Sequence, residues 1–139
     1  MRNGATVLVV EAHSPTRAIL ADLFYAEGLQ PLLAADTESA RRLLAEHRPA
    51  LMLADLEIGE TSGMVLDEIR RSDPRLVGVP LILTTRLTAR SVEHLVTQVD
   101  LVLHKPYSIE TLFAYVHRFC RPEDSARLPT RIAARRRRS

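Results

Sequence analysis

Residues 51–63 read LMLADLEIGETSG. The front of that stretch, Leu51-Met52-Leu53-Ala54, has no polar alternation before it stops on Asp55. An unbroken apolar run of this length is the mark of a strand buried on both faces, at the centre of a parallel sheet. In an open parallel sheet, ligands bind beyond the carboxyl ends of the strands, at the crevice where strand order reverses. Asp55 is therefore delivered to the edge where chemistry is done. The competing reading makes it a turn residue ahead of Gly59 and Gly63, and the stretch alone leaves both open.

Working outward, Thr6 to Val10 (TVLVV) is a β-branched apolar run, a second buried strand, and it also ends on an acid, Glu11. Ser14-Pro15 starts a helix that stops at Gly28, with Ile19, Leu20, Leu23 and Phe24 on one face. Leu29 to Ala35 is a strand whose Pro31 confines it to an edge. Asp36 or Thr37 then caps a helix carrying Ala40, Leu43 and Leu44 up to Pro49. Beyond the central strand, Ser62-Gly63 opens a helix that ends near Asp73-Pro74, and Val79 to Thr84 is a fourth buried strand leading into Thr85. Val92, Leu95, Val96 and Val99 fall at helical spacing and predict a helix over Ala89 to Val99. Leu101 to Leu103 is the fifth strand, reaching Lys105-Pro106, and Ser108 caps a last helix to about Arg121.

Five strand-helix repeats predict an α/β, doubly wound, five-stranded parallel sheet with right-handed crossovers. In the flavodoxin-like strand order 2-1-3-4-5 the switch point falls between strands one and three. Glu11 and Asp55 then converge, and Thr85 and Lys105 reach the same edge.

The chain of 139 residues, 46% apolar and 26% charged, has ordinary globular composition and suits one domain. Cys120 is the only cysteine, so there is neither a disulfide framework nor a cysteine metal cluster. No stretch approaches the roughly 20 apolar residues of a membrane span and no signal-peptide core is present, so a cytoplasmic location without membrane contact is expected. The net charge of +2 conceals a split. Residues 1–120 hold 12 basic and 15 acidic side chains, whereas residues 121–139 hold seven arginines against Glu123 and Asp124. The division expected is a domain over residues 1–121 and an arginine-rich tail over residues 122–139, which would bind nucleic acid only weakly and lose it with salt. Lys105 is the sole lysine among 19 basic residues, which points to a place where a compact ammonium was needed, or to nothing more than genomic base composition.

Neither a GxGxxG nor a GxxxxGK[ST] cradle is present, so a nucleotide is not the expected ligand, and no HExxH pair or GxSxG elbow appears. The five histidines are scattered, with only His13 and His104 near the active edge. What remains is acid, hydroxyl and ammonium around Asp55. A carboxylate can act as a nucleophile toward phosphorus while a lysine, a hydroxyl and a hard divalent cation hold the phosphoryl oxygens.

These residues resemble the receiver domain of two-component response regulators over nearly all of residues 4–121. VLVVEAHSPTR is similar to that family's first strand and acidic turn, DLEIGETSG to its phosphoacceptor loop, and PLILTTR and LHKPY to its threonine and lysine-proline motifs. The resemblance implies Asp55 as phosphoacceptor, Thr85 and Lys105 as the phosphoryl-stabilising groups, a cis bond at Lys105-Pro106, and bound Mg2+. It also implies a sensor histidine kinase or phosphotransfer protein as donor, a downstream protein target, and signalling through the surface of helix four, strand five and helix five. Such a chain is a signalling phosphoacceptor, with at most its own phosphorylation and dephosphorylation as activity.

The departures are specific. Ala12 stands where the family has a second acid, so the metal set reduces to Glu11, Asp55 and Glu57 and magnesium binding is expected to be weak. Arg86 follows the threonine in place of a small residue and is expected to gate the pocket, and Val102 replaces an aromatic. The alternatives are a pseudo-receiver that binds proteins without phosphorylation, and a nucleic-acid-associated adaptor acting through the tail. The last helix carries Ile109, Leu112, Phe113, Val116, Phe119 and Cys120, a face wide enough to suggest a homodimer.

Overall fold

The computed structural model describes residues 4–120; the arginine-rich segment 122–139 lies outside the described residues. Five strands form one parallel sheet: β1 (Thr6–Val10), β2 (Gln30–Ala34), β3 (Leu51–Asp55), β6 (Leu81–Thr85) and β7 (Leu101–His104). Their order is β2-β1-β3-β6-β7. Among the strands of the large sheet this is the expected 2-1-3-4-5, because β4 (Glu57–Ile58) and β5 (Thr61–Ser62) form a separate antiparallel ribbon. The helices are α1 (Ser14–Ala26), α2 (Thr37–Glu46), α3 (Met64–Ser72), α4 (Ala89–Val92) and α5 (Ile109–Cys120). Among the described residues no helix is long and apolar enough to cross a membrane.

The sheet divides the core by residue parity, since successive side chains of a strand point to opposite faces. Leu8, Val10, Met52, Ala54, Leu81 and Leu83 pack with α2, α3 and α4. Val7, Val9, Leu51, Leu53, Ile82 and Leu101 pack with α1 and α5. The central strands β1 and β3 have apolar residues on both faces because both faces are covered. β2 is an edge strand, and Pro31, which cannot donate to a ladder, sits in it opposite Val7.

Local chemistry sets the helix starts. Asp36 caps α2 by accepting from the Ser39 amide at 2.7 Å. The cap of α1 is His13 rather than Ser14: its Nδ1 accepts from the Thr16 amide at 3.3 Å, and Ser14 is already the first helical residue, ahead of Pro15. The fourth strand begins at Leu81, two residues later than its apolar run, because Pro80 interrupts the donors and leaves only its carbonyl to accept from Met52 N.

The expected helix over residues 89–99 is not continuous. One turn of α4 gives way to a 3-10 turn at Glu93–Leu95. Val96 N then bonds Glu93 O and Gln98 N bonds Leu95 O, the tighter spacing of a 3-10 path. Val92, Val96, Thr97 and Val99 are β-branched and weak helix formers. The end of the segment is also pinned elsewhere, for Arg70 donates to Gln98 O at 3.0 Å and to Asp100 Oδ2 at 2.9 Å.

The wide apolar face of α5 is largely used within the chain. Leu112, Phe113, Val116 and Cys120 are buried, Phe119 is half-buried, and the Phe113 ring meets Phe24 of α1 edge-on at 4.9 Å. Of the six residues on that face, Ile109 alone is exposed.

Candidate functional site

Strand parity assembles the site. Glu11 follows Val7 and Val9, Asp55 follows Leu51 and Leu53, and Lys105 follows Leu101 and Leu103, so all three side chains leave the sheet on the α1/α5 side at its carboxyl edge. The register aligns Val10 with Ala54, which makes Glu11 and Asp55 next neighbours beyond paired residues.

The closest contact is between Lys105 and Asp55. Lys105 Nζ donates to Asp55 Oδ2 at 2.8 Å, with only 17% and 11% of the two side chains exposed. Asp55 Oδ1 accepts from the Glu57 amide at 3.3 Å. Glu11 is buried and its Oε2 accepts from the His13 amide at 3.0 Å, while Arg17 donates to the Glu11 carbonyl at 2.7 Å. The Lys105–Pro106 peptide bond is cis. Gly63 fixes the floor from the other side, for a Cβ there would lie 2.5 Å from the Asp55 carbonyl oxygen. No larger residue lets the start of α3 approach the end of β3 this closely.

Thr85 is fully buried, but its hydroxyl is directed away from Asp55. It donates to Glu57 Oε2 at 2.8 Å and accepts from the Leu87 amide at 3.0 Å. Leu81 and Leu83, which precede Thr85 at the same parity, face the opposite side of the sheet from Asp55, and this sets the direction of the hydroxyl. His104 continues that side: its Nδ1 lies 3.0 Å from the Leu87 carbonyl, and its Nε2 is buried without a partner among the described residues. Arg86 is exposed and makes no hydrogen bond or ion pair with any described residue, and Lys105 is the cation on Asp55. Val102 is buried in the core beneath α4.

The expected metal ligands are only partly gathered. Glu57 turns its carboxylate to Thr85, Ala12 supplies no side-chain oxygen, and Asp55 Oδ2 already carries Lys105. Among the described residues no three His, Cys, Asp or Glu side chains converge at metal-binding distance. Magnesium favours octahedral oxygen coordination, and this set falls a charged ligand short. The residues present therefore do not fit a strongly bound magnesium ion.

Two neighbours of the site carry little signal in the sequence. Tyr107, just past the cis bond, has its phenol pushed above the ordinary value of 10 by burial, and further by the negative charges of Glu11 and Asp55. Its place after Lys-Pro was the available clue. Thr84, beside Asp55 on the next strand, emerges only from the register.

The family model for the response regulator receiver domain matches residues 7–117. A polar-differentiation response regulator, DivK of Brucella anthropi, is 28% identical over 117 residues, covering 80% of this chain and 95% of its own. The chemotaxis response regulator CheY4 of Vibrio cholerae superposes with a TM-score of 0.76 at 20% identity, over 84% of this chain and 98% of its own. The response regulator TrrA of Thermotoga maritima, solved in complex with Mg(2+)-BeF, gives 0.71 at 22% identity, over 82% of this chain and 97% of its own. At those identities the two structures speak to the fold alone.

Proposed function

The chain belongs to the response regulator receiver domain family, a family of signalling domains in two-component systems, and from that premise we propose that it accepts a phosphoryl group on Asp55 and passes the signal to a protein target. The observation that carries the reading is the Lys105–Asp55 pair, held at 2.8 Å at the carboxyl end of the central strand beside a second carboxylate, Glu11. A lone carboxylate at a turn would have no reason to draw the chain's only lysine across a neighbouring strand.

The donor is a phosphohistidine of a sensor kinase or phosphotransfer protein, or a small acyl phosphate. An Asp55 carboxylate oxygen attacks phosphorus, the new O–P bond forms as the bond to the donor's nitrogen or oxygen breaks, and the electron pair leaves with the donor. Lys105 is placed to offset the charge gathered on the phosphoryl oxygens. With Ala12 in place of a second acid, magnesium is held weakly and transfer is slow. Output runs through α4, β7 and α5, with Leu87, just ahead of α4, and Ile109, at the start of α5, as exposed apolar residues.

The test is incubation with acetyl phosphate and magnesium, with acid-labile phosphate read by phosphate-affinity electrophoresis. Labelling of the native protein and none of Asp55→Asn supports the reading. If neither the native chain nor Ala12→Asp is labelled, a phosphorylation-independent binding module replaces it.

A further inference from the structure

The sheet edge that carries Asp55 also borders a groove outside the site itself. It lies between the β4–β5 ribbon, which follows β3, and the segment after β6, where α4 stops after one turn. Leu56, Met64, Leu87, Val92 and Leu95 line a volume of about 500 Å³, within the range of ordinary ligand pockets. Leu87 is 45% exposed, and apolar surface rimmed by polar groups marks an interaction site. The charged side chains of the lining are both acidic, Glu57 and Glu60, and His94 is its other titratable group. Glu57 Oε2 accepts from Thr85, while Glu60 makes no hydrogen bond or ion pair with any described residue.

An occupant that fits must bring apolar side chains and positive charge together, and residues 121–139 supply both. Leu128 and Ile132 are the large apolar residues of that stretch, each directly preceded by an arginine, Arg127 and Arg131, and Arg135 to Arg138 follow. The charge match extends past the two rim carboxylates. Residues 1–120 carry 15 acidic against 12 basic side chains, and residues 121–139 carry seven arginines against two acids.

The reach is sufficient. α5 starts after β7 at the carboxyl edge and ends at Cys120, so its 12 residues carry the chain about 18 Å back toward the amino edge. The groove is that far up again and on the other face of the sheet, about 20 Å across two packed layers, with the edge strand β7 to round. The straight path is then roughly 30 Å, and the segment from Cys120 to Ile132, fully extended, spans up to about 40 Å.

We infer that the chain's own arginine-rich segment docks in this groove, with Leu128 and Ile132 against Met64 and Leu87 and the arginines about Glu57 and Glu60. Docked there, it covers Leu87 beside α4 and holds its arginines on carboxylates rather than offering them to nucleic acid. The inference holds whether or not Asp55 takes a phosphoryl group.

The experiment places a spin label on the full chain at Thr130→Cys, between the two anchors, and reads methyl NMR signals. The native chain, whose Cys120 is buried, is carried through the same labelling as the blank. The Met64, Leu87 and Leu95 signals should lose most of their intensity relative to the reduced label, whereas exposed Ile19 on α1 should keep its own. Ile132→Asp and Glu60→Arg, each made in the labelled chain, should restore most of the lost intensity; Glu60 is exposed, and circular dichroism checks the fold. Groove signals at full intensity in the labelled chain overturn the inference. Losses that survive both substitutions also overturn it, because the tether alone then accounts for them. A mixture of isotope-labelled chain without the spin label and spin-labelled chain without isotope tests a second copy as the occupant. Unchanged groove signals in that mixture support docking within one chain, and signal loss there overturns it.

Discussion

Lys105 Nζ lies 2.8 Å from Asp55 Oδ2, joining the end of β7 to the end of β3 across the width of β6. Both side chains are mostly buried, so each is the principal counter-charge of the other. Lys105→Ala should slow phosphorylation and lower stability by about 1–3 kcal/mol, because it leaves a buried acceptor without its donor. Urea unfolding and the labelling rate measure the two effects on the same variant. Full stability in Lys105→Ala would mean that the contact holds nothing together.

Magnesium affinity should improve on restoring the missing acid. Ala12→Asp adds one charged oxygen ligand beside Glu11 and Asp55, and the gain expected is on the order of tenfold, about 1.4 kcal/mol. Tyrosine fluorescence follows the titration, since Tyr107 stands beside both carboxylates. Equal affinity in the two proteins would show that Glu11 and Asp55 already complete the site.

Gly63→Ala should disturb Asp55 without touching its side chain. The added Cβ would stand 2.5 Å from the Asp55 carbonyl oxygen and 3.0 Å from Leu83 Cδ2, so backbone must move. Overpacking of this kind costs roughly 1–3 kcal/mol. The variant should melt lower and be labelled more slowly than the native protein, and calorimetry with the acetyl phosphate assay reads both.

Tyr107 should ionise later than an unperturbed phenol. Burial raises its folded value above 10, and the charges of Glu11 and Asp55 raise it further. Its contribution to stability is therefore intact below about pH 10 and lost as pH rises through the raised value. Asp55→Asn removes one of the two charges and should move the Tyr107 transition down without bringing it to that of a free phenol. Ultraviolet titration of native, Asp55→Asn and Tyr107→Phe proteins isolates the transition.

Arg70 should be among the costliest charged residues to remove. Its guanidinium donates to Asp67 Oδ1, Asp100 Oδ2, Val79 O and Gln98 O at 2.7–3.0 Å, tying α3 to the approach to β6 and to the turn before β7. Arg70→Met leaves Asp67 with Arg71 and Asp100 with the Leu81 amide, but it takes a buried counter-charge from both carboxylates and a donor from two carbonyls, at a cost of about 3–5 kcal/mol. Denaturant unfolding measures it, and a loss under 1 kcal/mol would show the network to be solvated.

Local pattern was enough for the parallel doubly wound sheet and its strand order, because unbroken apolar runs such as Leu51 to Ala54 and helical spacing such as Leu20 to Phe24 have one efficient burial. It also placed Glu11, Asp55, Thr85 and Lys105 at one sheet edge, since each ends or follows a strand. What those groups touch depends on the packed chain. The ribbon at Glu57–Ser62 is two residues deep on each side and leaves no periodicity to read, yet it turns Glu57 toward Thr85. The helix over 89–99 looked continuous by spacing, and Arg70, from 28 and 30 residues earlier, holds its end in another path. Thr84 and Asp55 are neighbours only because β6 pairs with β3 in one register, and a shift of one residue would have put Thr85 there instead. Register and long-range charge pairing are decided by the packed whole, and no window of sequence contains them.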